Sequence, residues 1–106
     1  MKRNLWEILV PANWNTGEEI TIYYHQEWDQ KVREIAKGLT LMKAVKGQWI
    51  DPESEDVYHD VMIPVRVYCT KKEMNKIIRM TLEHYHDQKA IMAYKISNEC
   101  IVKYRG

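Results

Sequence analysis

The sequence predicts a single α+β domain, with an antiparallel sheet that carries two helices on one of its faces. Three observations predict it: strict alternation of apolar and other residues over 57–69, an apolar stripe at helical spacing after Thr70, and a second stripe from Tyr24 to Ile35. A chain of 106 residues has the size of one domain. It buries roughly two-thirds of its unfolded surface, so one core can hold it without cross-links.

The first strand is expected over Leu5 to Val10, apolar except for Glu7, as in a central strand. Asn13-Trp14-Asn15-Thr16-Gly17 follows as a loop of turn formers. Tyr24, Trp28, Val32 and Ile35 then lie at spacings of 4, 4 and 3, which predicts a helix over 22–37, with Gly38 as its left-handed cap. Residues 38–45 read as a strand, with a bulge or kink at Lys46-Gly47 before Gln48-Trp49-Ile50 continues it toward the Asp51-Pro52 turn.

The clearest strand signal is the alternation of Val57, His59, Val61, Ile63, Val65, Val67 and Cys69 with Tyr58, Asp60, Met62, Pro64, Arg66 and Tyr68. The odd set should pack under the helices. Pro64 cannot donate to a ladder, so a bulge or break is expected there. Thr70-Lys71-Lys72-Glu73 is a capping box, and Met74, Ile77, Ile78, Thr81, Leu82 and Tyr85 give the face of the second helix, fraying near His84 to Asp87. Ala90 to Ile96 alternate as a strand, Ser97-Asn98-Glu99 turns the chain, and Cys100 to Tyr104 read as a short last strand.

The order β-α-β-β-α-β is the split βαβ, ferredoxin-like arrangement, here with an extra short C-terminal strand. Both helices then cover one face and leave the other bare. The bare face would present Tyr58, Met62, Pro64 and Tyr68 with Asp60 and Arg66 among them. Such a mixture suits a surface covered by another subunit, so a homo-oligomer through the open sheet face is expected. The absence of Phe beside 7 Tyr and 4 Trp points the same way, since each aromatic present carries a polar handle suited to half-buried places.

Charge narrows the partners. Lys and Arg number 16 against 15 Asp and Glu, a formal net charge of +1, which gives no field for nucleic acid or an anionic membrane. Cys69 and Cys100 stand 31 residues apart with no zinc-type spacing and read as free thiols. The apolar run after the basic start is broken by Glu7 and stops at Pro11, too short for a signal or a span, so a cytoplasmic protein is expected.

Chemistry-bearing residues are few. His84 and His86 are two apart and lack a third ligand at metal spacing, so no metal site is expected, and both read as exposed helix-end histidines. His25 and Asp29, four apart on the first helix, read as a surface pair. His59 falls on the aliphatic face of its strand and reads as a core histidine. Asp60 and Arg66 share the bare face and would either pair across subunits or bind a ligand carboxylate or phosphate. Trp14, Gln48 and Trp49 sit in segments that leave the core and are the pocket candidates. The ligand-binding set expected from sequence is therefore Trp14, Gln48, Trp49, Tyr58, Asp60 and Arg66. No cofactor motif and no catalytic triad order is present.

Gly38-Leu39-Thr40 followed by Gly47-Gln48-Trp49-Ile50-Asp51 resembles a segment of small bacterial and phage proteins with the ferredoxin-like plan of the PII-type superfamily. The likeness extends more loosely to Leu5–Pro11 and Lys89-Ala90-Ile91. It implies the same fold, a dimer or trimer, and ligand clefts between subunits, with the hairpin from Lys46 to Asp56 in the place of the projecting loop of PII-type trimers. It brings no catalytic set. Two functions are therefore expected from the sequence: an oligomer that binds a small molecule or a protein partner in an intersubunit cleft, or a small cofactor-free enzyme of lyase, isomerase or oxygenase type. The enzyme would gather His25, His59, Asp60, Arg66 or Tyr residues in one pocket.

Overall fold

The computed structural model describes residues 2–106. Five strands and two helices follow in the order β1 (Arg3–Pro11), α1 (Ile22–Ala36), β2 (Thr40–Leu41), β3 (Val45–Ile50), β4 (Val57–Thr70), α2 (Lys71–His84) and β5 (Ala93–Ser97). The sheet is antiparallel throughout, in the order β2-β4-β1-β5, with β3 pairing farther along β4 on the same edge as β2.

The fourteen residues of β4 organise the molecule. One side of β4 pairs with β1 from Arg3↔Thr70 to Pro11↔Met62. Its other side takes β2 at Arg66 and Val65, then β3 from Met62 to Val57. Because paired residues share a face, Ile8 and Val65, Trp6 and Val67, and Val10 and Ile63 all point to the helices. Ile8, Val65, Val67 and Cys69 are fully buried there against Trp28 and Val32 of α1 and Met74 and Ile77 of α2. Each such aliphatic contributes about 1.5–3 kcal/mol by leaving water.

α1 starts where the Thr21 side chain accepts from the Tyr24 N–H at 3.3 Å. It ends one residue before the expected place. Lys37, not Gly38, takes the left-handed conformation, φ 73°, with its N–H on the Arg33 carbonyl. Ala36 and Leu39 both pack on the core, so the chain must turn at Lys37 despite a cost of ~1 kcal/mol for a residue with a Cβ. α2 follows β4 with no intervening loop. Its capping box is complete: Thr70 Oγ1 accepts from the Glu73 N–H at 3.1 Å while Glu73 Oε1 accepts from the Thr70 N–H at 2.9 Å.

Four other expectations are corrected. Pro64 causes no bulge or break, because its missing N–H faces the gap between β2 and β3, where Met42 N–H bonds the Pro64 carbonyl at 3.0 Å and no ladder partner is needed. Lys46-Gly47 is in register without a bulge. The bare Gly47 lets the Met62 side chain lie across it, since a Cβ at that position would stand 2.4 Å from Met62 Cε. Residues 42–44 leave the ladder, so the second predicted strand is two short ones. Cys100 to Tyr104 form no strand: the segment pairs with no described residue, and Ile101 and Tyr104 are 84% and 85% exposed.

Candidate functional site

The helix-free face of the sheet carries a polar row that crosses four strands. Register places Thr40 of β2 beside Arg66 of β4, Arg66 beside Glu7 of β1, and Glu7 beside Tyr94 of β5. Arg66 Nε donates to Glu7 Oε1 at 3.0 Å, and the Tyr94 hydroxyl donates to Glu7 Oε2. Glu7 is only 7% exposed although no helix covers it, because Arg66 and Tyr94 close over it from both sides. The hydrogen bond to Glu7, then burial, raises the Tyr94 phenol above its ordinary range. A carboxylate, a phenol and a guanidinium thus converge at the middle of the sheet.

Farther along the same face lies the β3–β4 hairpin. Trp49 stands opposite Tyr58, and Asp60 opposite Gly47. The Trp49 indole N–H donates to Asp60 Oδ2, which fixes the ring against the carboxylate. Tyr58 is half exposed. A groove of about 310 Å³ runs along the hairpin between Lys46, Gly47, Gln48, His59, Asp60 and Val61. Gln48 and His59 pair on the opposite side of the ribbon from Trp49 and Tyr58.

Five of the six ligand-binding residues expected from sequence, Gln48, Trp49, Tyr58, Asp60 and Arg66, therefore lie on β3 and β4. Asp60 and Arg66 do not share one partner: Asp60 bonds Trp49, and Arg66 bonds Glu7. Trp14 lies apart, on the helix side. Its ring stacks on His86, with centroids 5.1 Å apart, and meets Tyr24 edge-on at 5.1 Å. Its loop is latched by Asn15, whose N–H donates to Asp87 Oδ2 at 2.7 Å. His59 is exposed and not a core residue, because the hairpin runs out beyond the helices.

Two more histidines also correct the reading. His84 is 6% exposed, where an exposed helix end was expected. Its Nε2–H donates to the Tyr24 carbonyl at 2.8 Å, and its Nδ1 faces Lys31 Nζ at 3.4 Å. His25 is bonded through Nδ1 to the Tyr85 hydroxyl at 2.6 Å, not to Asp29. Burial holds both imidazoles below their ordinary range, and it pushes the Tyr85 phenol well up. These groups clamp α1 to the end of α2 around the buried Tyr85. Of the groups an enzyme was expected to gather, His59 and Asp60 line the hairpin groove, Arg66 meets Tyr94 through Glu7, and His25 bonds Tyr85 on the helix side, so no single pocket holds them.

Sequence reasoning missed Glu7 and Tyr94. The signal was present for Glu7, the one carboxylate inside an otherwise apolar central strand. Among the described residues, no group of three or more His, Cys, Asp or Glu could hold a metal ion, and no helix is long and apolar enough to cross a membrane.

Solved structures share this architecture. The periplasmic divalent cation tolerance protein CutA from Archaeoglobus fulgidus superposes with a TM-score of 0.65 at 12% identity, covering 95% of this chain and 88% of that one. The fold is ferredoxin-like. A divalent cation tolerance protein from Thermus thermophilus gives a TM-score of 0.62 at 11% identity, over 97% and 87% of the two chains. A phage SAM lyase, solved in complex with S-methyl-5'-thioadenosine, gives 0.61 at 11% identity, over 90% and 89%. All three share the ferredoxin-like α+β architecture. Identities this low establish common architecture only. No protein-family model matches the chain, and no curated protein matches it in sequence.

Proposed function

We propose that the chain acts as a cytoplasmic homo-oligomer, a dimer or trimer, that binds a small molecule or a protein partner in a cleft between copies, against the helix-free face. The observation that carries this reading is Glu7, a carboxylate brought to 7% exposure at the centre of a face that no element of its own chain covers. A solvent-facing sheet has no need to shield a carboxylate between a guanidinium and a phenol, whereas a face that meets a partner does. Trp49, Tyr58 and Asp60 on the same face supply aromatic surface and an acceptor for what enters the cleft. The unpaired thiols Cys69 and Cys100 suit a reducing compartment.

Gel filtration with light scattering tests the assembly, and a strict monomer overturns the cleft. A thermal-shift panel of nucleotides, amino acids and cofactors tests the ligand. A compound at 100 times its dissociation constant adds about 2.7 kcal/mol to the folded state, and that gain should shrink in Arg66→Ala or Asp60→Asn. A flat response across the panel removes the small molecule and leaves the protein partner.

The second reading is a cofactor-free lyase. Its support is the Tyr94–Glu7–Arg66 constellation, which combines a proton donor, a carboxylate and an anion-stabilising group, together with the architecture shared with the phage SAM lyase. Incubation with S-adenosylmethionine and chromatographic detection of S-methyl-5'-thioadenosine tests it. Turnover lost in Glu7→Gln would establish the enzyme; no product from the wild-type chain would leave the binding reading in place.

A further inference from the structure

The two helices carry their charges in separate halves. Hydrogen bonds join Tyr24 to His84 and Trp28 to Thr81, so α1 and α2 run antiparallel. Continued along both helices, the same pairing sets Arg33 level with Lys76 and Lys37 level with Lys72. Arg33 and Lys37 at the end of α1, and Lys71, Lys72, Lys76 and Arg79 of α2, are all exposed there. Among the described residues none of these cations is ion-paired. The carboxylates that share this half are Glu73, occupied by the capping box, and Glu34, which accepts from the Gln30 amide at 3.4 Å. Asp29 and Glu83 mark its border, each one turn of helix from an arginine, and Glu19, Glu27 and Asp87 fall at the other end.

A formal charge of +1 predicts no field for nucleic acid only where the charges are mixed. In this fold β4 keeps them apart. Its first residue follows the acidic tip of Asp51, Glu53, Glu55 and Asp56, and its last, Thr70, caps the helix that opens with Lys71 and Lys72. A strand of fourteen residues holds the two groups about 45 Å apart, several times the screening length of ~8 Å at physiological salt. The tip therefore does not cancel the patch.

The patch fits a partner whose negative charges recur along a line. Lys72, Lys76 and Arg79 form one stripe on α2, at i, i+4 and i+7, and Arg33 and Lys37 repeat the spacing on α1. Its surroundings separate a duplex from other polyanions. No aromatic side chain is exposed within the patch, so nothing there stacks the bases of a single strand. No large apolar side chain is exposed within it either, and the apolar faces of both helices lie in the core, so nothing inserts into a bilayer. We infer that this face of the helix layer binds the phosphate backbone of double-stranded nucleic acid without reading its sequence. The face points away from the side of the sheet proposed to meet other copies, so an oligomer presents it once per copy. The inference does not rest on the oligomeric reading, since a single copy carries the whole patch.

Fluorescence anisotropy of a short labelled DNA duplex of arbitrary sequence, titrated with the full chain over a salt series, tests it. The logarithm of affinity should fall against the logarithm of salt concentration with a slope of about −4 to −5, the value for roughly five neutralised phosphates. Lys72→Glu with Lys76→Glu should weaken binding by roughly tenfold or more and make the slope shallower by about 2. Lys43→Glu with Lys89→Glu changes the net charge equally, outside the patch, and should leave affinity within about twofold. All four lysines are exposed, so loss of folding does not confound the variants, and circular dichroism of each should match the parent. A wild-type chain that leaves the duplex unbound at low salt would overturn the inference. Equal weakening by the two pairs of substitutions would do the same, by assigning the binding to net charge. Tighter binding to a single strand of the same length, or binding to phosphatidylserine vesicles without binding to the duplex, would overturn the duplex as the partner.

Discussion

Glu7 and Arg66 face each other across the β1–β4 ladder, with the guanidinium Nε 3.0 Å from the carboxylate, on the side of the sheet that has no helix. The Glu7 side chain is 10% exposed and that of Arg66 40%, so the acid is shielded and the base is its cover. Removing the cover should hurt more than removing both. Arg66→Met is expected to cost about 1–3 kcal/mol, the penalty for a shielded polar group that loses its partner, and Glu7→Gln with Arg66→Met should regain much of it. Urea unfolding of the two variants checks this. A double variant no more stable than Arg66→Met alone would refute the shielding account.

The contact between the helices hides a polar relay. The Trp28 indole N–H donates to Thr81 Oγ1 at 2.9 Å, and the Thr81 hydroxyl donates to the Ile77 carbonyl at 2.5 Å. Trp28 and Thr81 are 1% and 0% exposed, so no water replaces a lost partner. Thr81→Val keeps the volume and orphans the indole N–H, at an expected cost of about 1–3 kcal/mol. Trp28→Phe combined with Thr81→Val should lose less than the sum of the single changes, a coupling that chemical denaturation of the full cycle would measure.

Acid should loosen the clamp between α1 and α2. Burial, and then the Lys31 ammonium, hold the His84 imidazole low against the opposing pull of the Tyr24 carbonyl and Glu27. Burial and then His84 hold His25 low, against Glu19. A base whose folded pKa is depressed favours the fold when neutral. The stabilisation is therefore complete above the ordinary histidine value of about 6.5 and is lost as pH falls through the lower folded values. Unfolding free energies should decline between about pH 7 and pH 5, and the decline should flatten in His84→Gln. Equal slopes in the two proteins would rule out His84 as the source.

The junction of β4 and α2 depends on one hydroxyl. Thr70 closes the ladder at Arg3 and caps the helix at Glu73. Thr70→Ala should cost ~1 kcal/mol, and Thr70→Ser should recover most of it because the β-branch is not what the cap uses. Thermal melts of the two variants distinguish a capping role from a packing one.

Much of this fold is legible in the residue pattern alone. The alternation of 57–69 predicts β4 almost to the residue, because successive side chains of a strand point to opposite faces, although the odd face is buried only from Ile63 onward and leaves Val57 and Val61 exposed in the hairpin. The capping box predicts the start of α2 for an equally local reason. Errors arise where a distant element decides. Pro64 reads as a break, yet its neighbour strand is interrupted at the same level. Lys37 takes the left-handed turn because Leu39 has to reach the core. His84 reads as exposed at a helix end, and the packing of α1 buries it. The site is half legible: the even positions of β4 give Tyr58, Asp60 and Arg66 a common face, but pairing Arg66 with Glu7 needs the β1–β4 register, and Trp14 cannot be assigned to the helix side from its loop alone.

The position of Pro64 has a mechanical consequence. At that level β4 is joined to β1 on one side but has no continuous partner on the other, since β2 ends at Leu41 and β3 begins at Val45. Peeling of β3 from β4 can start at the tip and stop at Met62, because Pro64 has no N–H to donate and its carbonyl is held by Met42, outside β3. The hairpin thus forms its own cooperative unit. In chains kept apart from one another, its amides should exchange with solvent far sooner than those of Ile8 or Val65, so a cleft built on this ribbon could reshape itself around an occupant while the rest of the sheet holds still.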